Sequence, residues 1–339
     1  MILVTGGTGL VGAHLLYELT QQHKRVRATF RRKHTIARAK HVFSYYSDAA
    51  EDLFAKIEWI EADITNIPQL DAAFSDVSHV YHCAAFVSFE PDKYKELRKI
   101  NIEGTANVVN CCIAHKVEKL CYVSSIATLG DNKNKNDFIT EEDHWDPNQD
   151  HNVYAITKYG AELEVWRGSQ EGLNVIIVNP GVVLGPGFWR GGSSGSIIRK
   201  VHKGLNYYTK GTTGFVDVWD VTKIMIQLMN ARVINERFIL VAENLSFKAI
   251  ILAIANALEI QPPKKEAKPW LLNIAWRLDW LSHIIFRRRR QLSKQSARSL
   301  VEFSKYDASK IKTYLGFKFN PVENALSRCC EFYLDDKPK

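Results

Sequence analysis

Short apolar runs alternate with longer amphipathic ones through the first half of the chain. Residues 2–5 read as a buried strand and 10–22 as an amphipathic helix. Apolar strands are then expected at 26–30, 57–62, 79–83 and 119–123, with helices at 94–115 and 154–166 and a sixth strand at 175–178. Strands apolar on both faces, separated by helices, argue for a parallel sheet covered on both sides, because each crossover must travel back along the sheet. The predicted fold class is therefore α/β, a doubly wound parallel sheet. One more strand is expected to return to it near 237–241.

After Gly185-Pro186 the alternation stops. The stretch 187–214, rich in Gly, Ser and Thr, is expected to form loops over a ligand site, while 247–258, 270–286 and 309–315 carry helical spacing. Two regions follow: 1–186, holding the sheet, and 187–339, smaller and mainly helical. Within 270–286, Leu271, Ile274, Leu278, Leu281 and Ile285 make one stripe, expected to be core. Trp276, Trp280 and Ile284 make a second, available to a substrate pocket, a partner or a membrane surface, with Arg287 to Arg290 toward anionic headgroups.

Composition narrows the class. The 339 residues are 46% hydrophobic and 24% charged, ordinary for a globular protein. The formal charge of +8 gathers at 24–40 and 287–290, which favours a specific anionic ligand over nucleic acid. The cysteines at 83, 111, 112, 121, 329 and 330 lack metal-ligand spacing, so no metal is expected and reduced, buried thiols are. Met1 leads directly into an apolar strand, and no apolar run approaches the roughly 20 residues needed to span a bilayer. A cytoplasmic protein without a signal peptide or membrane span is expected, with 270–290 open to peripheral membrane contact.

The loop Thr5-Gly6-Gly7-Thr8-Gly9-Leu10-Val11-Gly12 joins the first strand to the first helix. A pyrophosphate must approach backbone N–H groups at such a helix N-terminus, and side chains there would block it. Gly6, Thr8, Gly9, Leu10, Val11 and Gly12 are the candidate phosphate-binding positions of a Rossmann domain. The second strand ends in Arg31-Arg32-Lys33 where an NAD enzyme would place an acid for the ribose 2′-OH. Arg31, with Arg32 or Lys33 in support, suits a 2′-phosphate, so NADP is the expected cofactor and NAD the less favoured one. Asp63 and Ile64, after the third strand, are placed to bound the adenine, although Asp63 could instead cap the next helix.

Tyr154-Ala155-Ile156-Thr157-Lys158 sets a phenol and an ammonium at i and i+4, on one helical face. A neighbouring cation favours the phenolate and brings tyrosine closer to acid/base use at neutral pH. Ser125 ends the fifth strand, where ligand-facing residues of such sheets occur, and Ser124 is the alternative hydroxyl. His82, inside a strand, reads as a hydrogen-bonded structural residue.

The order of these motifs resembles the extended short-chain dehydrogenases/reductases of the NAD-dependent epimerase/dehydratase type. The resemblance runs through residues 5–12, Asp63-Ile64, His82-Cys83-Ala84-Ala85, Asn101-Ile102-Glu103-Gly104-Thr105, Tyr122-Val123-Ser124-Ser125, Tyr154-x-x-x-Lys158 and 179–186. It implies Ser125, Tyr154 and Lys158 as the catalytic set. It also implies Cys83, Ala84, Ala85 and Asn101 near the cofactor, Pro180 to Val183 presenting backbone to the carboxamide, and a homodimer. Sugar-nucleotide epimerases usually carry Tyr-Gly where this chain has Leu129-Gly130, and Arg-Pro where it has Asn179-Pro180. These departures and the basic end of the second strand point to reductases like dihydroflavonol 4-reductase or 3β-hydroxysteroid dehydrogenase. The implied reaction is NADPH-dependent reduction of a ketone or aldehyde, with an apolar or ring-bearing substrate hinted at by Phe188, Trp189 and Trp219. A nucleotide-sugar epimerase or dehydratase, and a dinucleotide-sensing regulatory protein, are the alternatives.

Overall fold

A computed structural model describes residues 1–22, 25–130, 137–190, 194–286, 290 and 292–337. In chain order its strands are β1 (Ile2–Thr5), β2 (Val26–Phe30), β3 (Ile57–Glu61), β4 (His79–His82), β5 (Lys119–Val123), β6 (Val175–Pro180), β7 (Val182–Leu184), β8 (Tyr207–Tyr208), β9 (Thr212–Asp217), β10 (Glu236–Leu240), β11 (Glu243–Ser246) and β12 (Lys265–Glu266). Seven of them form one sheet in the order β10-β6-β5-β4-β1-β2-β3, and every pairing in it is parallel. The strand order reverses between β1 and β4, and ligands of open α/β sheets bind in the crevice at such a switch point.

Alternate residues of the central strands feed opposite faces of the sheet. Val4 packs with Leu15, Leu16 and Leu19 of the helix Leu10–Gln21 and with Ile224 and Leu228 of the helix Val218–Asn230. Leu3 packs on the other side with Leu70, Phe74, Val108 and Val165. Both faces are therefore dry, as near-continuous apolar strands require.

Several elements depart from the sequence expectation. The helix expected over 94–115 is Tyr94–Leu97, a π-helical turn Arg98–Glu103 and then Gly104–Ala114. Stretch 187–214 is not all loop. It contains the helix Gly195–His202, which buries Ile198 and Val201, and the start of β9. A small sheet, β11-β9-β7, sits beside the end of β6, and Gly181 permits the approach: a Cβ there would lie 2.4 Å from the Gly214 carbonyl oxygen. The helix Val322–Asp335, unmarked in the sequence reading, buries Ala325, Leu326 and Cys330 against Ile250 and Ile254.

In the helix Pro269–Phe286 the first stripe is core only at Leu271, which is half-buried against Ala267, Leu272 and Ala297. Ile274, Leu278, Leu281 and Ile285, expected in the core, are all exposed, and Leu272 is the buried residue. Arg287 to Arg289 lie outside the described residues. All six cysteines are free.

Candidate active site

The glycine loop is shaped by two contacts that exclude a side chain. Gly6 has φ +72°, and a Cβ there would lie 2.5 Å from the Ala84 nitrogen; at Gly12 it would lie 2.3 Å from the Gly6 carbonyl oxygen. The first contact presses the loop after β1 onto the chain after β4, closing the floor of the switch-point crevice. Gly9 differs. It is exposed, its Cβ would meet nothing nearer than 3.4 Å, and it caps the helix Leu10–Gln21 without a side-chain bond. The fold tolerates a side chain there, so the bareness serves whatever approaches the first-turn N–H groups. Thr8, Leu10 and Val11 are half-buried around it.

Beyond β2, Arg31 and Arg32 are both exposed. The other arginine of that strand, Arg27, is buried and committed to Glu58 at 3.0 Å and to the Ala73 carbonyl at 2.9 Å. Arg31 Nη1 stands 4.0 Å from Asp63 Oδ2. Asp63 accepts from the N–H and hydroxyl of Thr65, each at 2.9 Å. The cap of the next helix is Asn66, which accepts from Gln69 N at 3.3 Å; the capping alternative for Asp63 is thereby corrected. Ile64 is buried, and a Cβ at Gly104 would sit 2.6 Å from its Cδ1, which accounts for that glycine.

Behind the loop, His82 bonds Thr5 Oγ1 at 2.6 Å and Thr105 Oγ1 at 3.0 Å. Burial, with the Lys158 charge, pushes its pKa down to about 3, so it is a neutral structural residue. Burial likewise raises the Cys83 thiol to about 12 and leaves it unreactive. Ala84 is half-buried and Ala85 exposed. Asn101 lies in the π turn: its amide accepts from Phe86 N at 2.8 Å and donates to Phe86 O at 3.0 Å and Thr157 Oγ1 at 3.2 Å. Both ends of the amide are used within the chain, bracing the loop after β4 against the helix Val153–Gln170.

That helix, capped by Asn152, carries Tyr154 and Lys158. Burial raises the pKa of the Tyr154 phenol, and the neighbouring Ser125 hydroxyl opposes the shift. Ser125 Oγ accepts from Ala127 N at 3.2 Å. Ser124 is committed elsewhere: its hydroxyl donates to Glu162 Oε2 at 2.5 Å. Lys158 is fully buried, and its Nζ donates to the Tyr122 hydroxyl at 2.6 Å and to the Val123 carbonyl at 2.8 Å. It is held by these β5 groups, not by the Tyr154 phenol as the spacing suggested. Desolvation lowers its pKa to about 7, against the opposing pull of Glu162 and Cys83.

Sequence reasoning passed over three supporting residues. Tyr122 reads in sequence as one more apolar strand position. Glu162, one turn after Lys158, accepts from Ser124, from Thr128 Oγ1 at 2.7 Å and from Asn179 Nδ2 at 3.0 Å; its only signal is an acid on the buried face of the helix. Phe89 lies with its ring centroid 5.3 Å from that of Tyr154 and is 43% exposed, an apolar wall beside the phenol. Of the two carboxamide positions, Pro180 is buried at the end of β6, and the Val183 carbonyl accepts from Ser194 Oγ.

A glycine loop at the switch point of a parallel sheet defines a Rossmann-type dinucleotide-binding protein. The chain belongs to the NAD dependent epimerase/dehydratase family, which it matches over residues 2–240. It is 27% identical over 338 residues to a putative dihydroflavonol 4-reductase of Synechocystis sp., covering 97% of this chain and 93% of that protein. It is 28% identical to sterol demethylase protein B of Methylococcus capsulatus, covering 93% of this chain and 92% of the other. Among solved structures, gox2253 superposes with a TM-score of 0.82 at 25% identity, covering 99% of this chain and 98% of that one.

Proposed function

We propose that this protein is an NADPH-dependent reductase of a ketone or aldehyde, similar to dihydroflavonol 4-reductase. The carrying observation is the Ser125 hydroxyl beside the buried Tyr154 phenol, with Lys158 fixed one helical turn further on. Bound NADPH would supply the hydride that reaches the carbonyl carbon. Ser125 and Tyr154 hold the carbonyl oxygen, and Tyr154 donates its proton as negative charge grows there. Donors aimed at that oxygen favour the transition state over the substrate. A phenol kept protonated by burial is in the correct state to give the proton.

The residues present fit the cofactor. The bare Gly9 end of the first helix would seat the pyrophosphate, Arg31 and Arg32 the 2′-phosphate, Asp63 and Ile64 the adenine, and Ala84, Ala85 and Lys158 the nicotinamide half. The exposed Phe89 ring and the names of the relatives support an apolar, ring-bearing substrate. Epimerisation or dehydration of a nucleotide sugar is the second reading, favoured by the family match alone.

Titration with NADPH and NADH, followed by fluorescence after checking the spectrum for cofactor already bound, tests the proposal. Exchangeable NADPH binding much tighter than NADH supports it, and tightly held, non-exchanging NAD overturns it in favour of epimerase chemistry. Tyr154→Phe is expected to keep NADPH binding and lose about 10²- to 10⁴-fold in turnover of whichever carbonyl proves active. Near-normal turnover would remove Tyr154 as the proton donor.

A further inference from the structure

The helix Pro269–Phe286 is mounted inside out. Its inner side packs Leu272, with half-buried Leu271 and Trp276, against Ala267 and Ala297. Its outer side carries Trp270, Ile274, Leu278, Leu281 and Ile285, spaced three or four apart and so on one face. All five are exposed, from 45% at Leu281 to 61% at Trp270, and Trp280 and Ile284 widen the stripe. Eighteen residues make a helix about 27 Å long. Water-soluble domains rarely leave so long an apolar face in solvent, and such patches mark interaction surfaces.

Charge identifies the partner. Between Lys264 and Lys294 stand nine Lys and Arg against two acids, a surplus of seven, whereas the whole chain has 45 against 37, a surplus of eight. This 31-residue segment is thus one of two basic concentrations in the chain, the other being 24–40 with eight Lys and Arg and no acid. Both acids are already paired: Glu266 with Lys210 at 2.7 Å and Asp279 with Arg290 at 3.8 Å. Lys264, Lys265 and Lys268 flank the start of the stripe, Arg277 lies along it, and all four are exposed. Arg287 to Arg289 follow its end in sequence.

We propose that this helix lies flat on an anionic lipid bilayer, its apolar stripe at the acyl boundary and its flanking cations among the headgroup phosphates. Lys and Arg suit this position because their stems can lie on apolar surface while their charges stay in the headgroup layer. A second copy would bring two strongly cationic segments together, which repel. Nucleic acid would attract the cations but leave the apolar stripe in water. Among the described residues no helix is long and apolar enough to cross a membrane, so the contact is made from one side. The proposal does not depend on the reductase reading.

The test is co-sedimentation of the full chain with phosphatidylcholine vesicles, with and without phosphatidylglycerol, alongside tryptophan emission. Binding is expected with phosphatidylglycerol, weakened by added salt, with a blue shift from Trp270 and Trp280. Leu278→Glu is expected to weaken it by about tenfold or more, and Lys264→Gln, Lys265→Gln and Lys268→Gln together to remove the lipid selectivity. Because Leu278 is exposed, circular dichroism and the unfolding midpoint should not move. Failure to bind anionic vesicles overturns the proposal, as does undiminished binding by Leu278→Glu. A dimer in ultracentrifugation that Leu278→Glu dissociates, without vesicle binding, would overturn it too and make a second copy the occupant.

Discussion

Lys158 Nζ and the Tyr122 hydroxyl lie 2.6 Å apart, a bond between the helix Val153–Gln170 and the strand β5 beneath it. With the Val123 carbonyl as a second acceptor at 2.8 Å, the ammonium is fixed by the protein itself before any ligand arrives. A buried charge is tolerated only when hydrogen bonds replace its water, and β5 supplies acceptors for two of the three ammonium protons.

Tyr122→Phe removes one of those acceptors and little volume. Hydrogen bonds to charged groups contribute about 1.5–3 kcal/mol, so kcat is expected to fall about tenfold to a hundredfold through misplacement of Lys158. Accepting from the ammonium stabilises its charged form, so losing the acceptor lowers the Lys158 pKa further. The alkaline limb of the kcat/KM profile should then move to lower pH. A profile that keeps its shape, with only stability reduced, would assign Tyr122 a merely structural role.

The Lys158 pKa, lowered from 10.5 to about 7, also predicts a pH dependence of folding. Between those two values the unfolded chain binds the proton and the folded chain does not. This residue therefore makes stability rise with pH across that window, by at most about 1.4 kcal/mol per pH unit. Below about pH 7 both states are protonated and the cost of the buried charge is full and constant. Urea unfolding of Lys158→Met without cofactor should lack the slope, and an unchanged slope would place its origin elsewhere.

Gly9 and Gly12 should separate binding from folding. Gly12→Ala drives a methyl group to within 2.3 Å of the Gly6 carbonyl oxygen and is expected to destabilise the protein by about 1–3 kcal/mol. Gly9→Ala, with its nearest neighbour at 3.4 Å, should unfold like the parent yet bind dinucleotide at least about tenfold more weakly. Calorimetry and dinucleotide titration on both variants distinguish the two, and normal binding by Gly9→Ala would show that the pyrophosphate sits elsewhere.

Arg31 is half-exposed and only loosely paired, at 4.0 Å from Asp63, which leaves its guanidinium available. Arg31→Glu is expected to weaken NADPH about tenfold to a hundredfold and NADH far less. Equal losses for the two cofactors would show that Arg31 does not read the 2′-phosphate.

Local features were legible in the sequence because they need only neighbouring residues. The apolar strands at 2–5, 26–30 and 119–123 announce a sheet buried on both faces, and Gly6, Gly9 and Gly12 announce a strand-helix turn with a bare N-terminus. Tyr154 and Lys158 share a helical face at any i, i+4 spacing. Tertiary structure decided what those residues touch. Lys158 turns to Tyr122 of β5, 36 residues away, Ser124 turns to Glu162 and leaves Ser125 beside Tyr154, and Asn101 spends its amide on Phe86 and Thr157. The helix Pro269–Phe286 shows why periodicity stops short. Apolar residues occupy both of its sides, so its own sequence could not say which side packs; that choice belongs to Ala267 and Ala297, which cover Leu272 and leave the longer stripe in solvent.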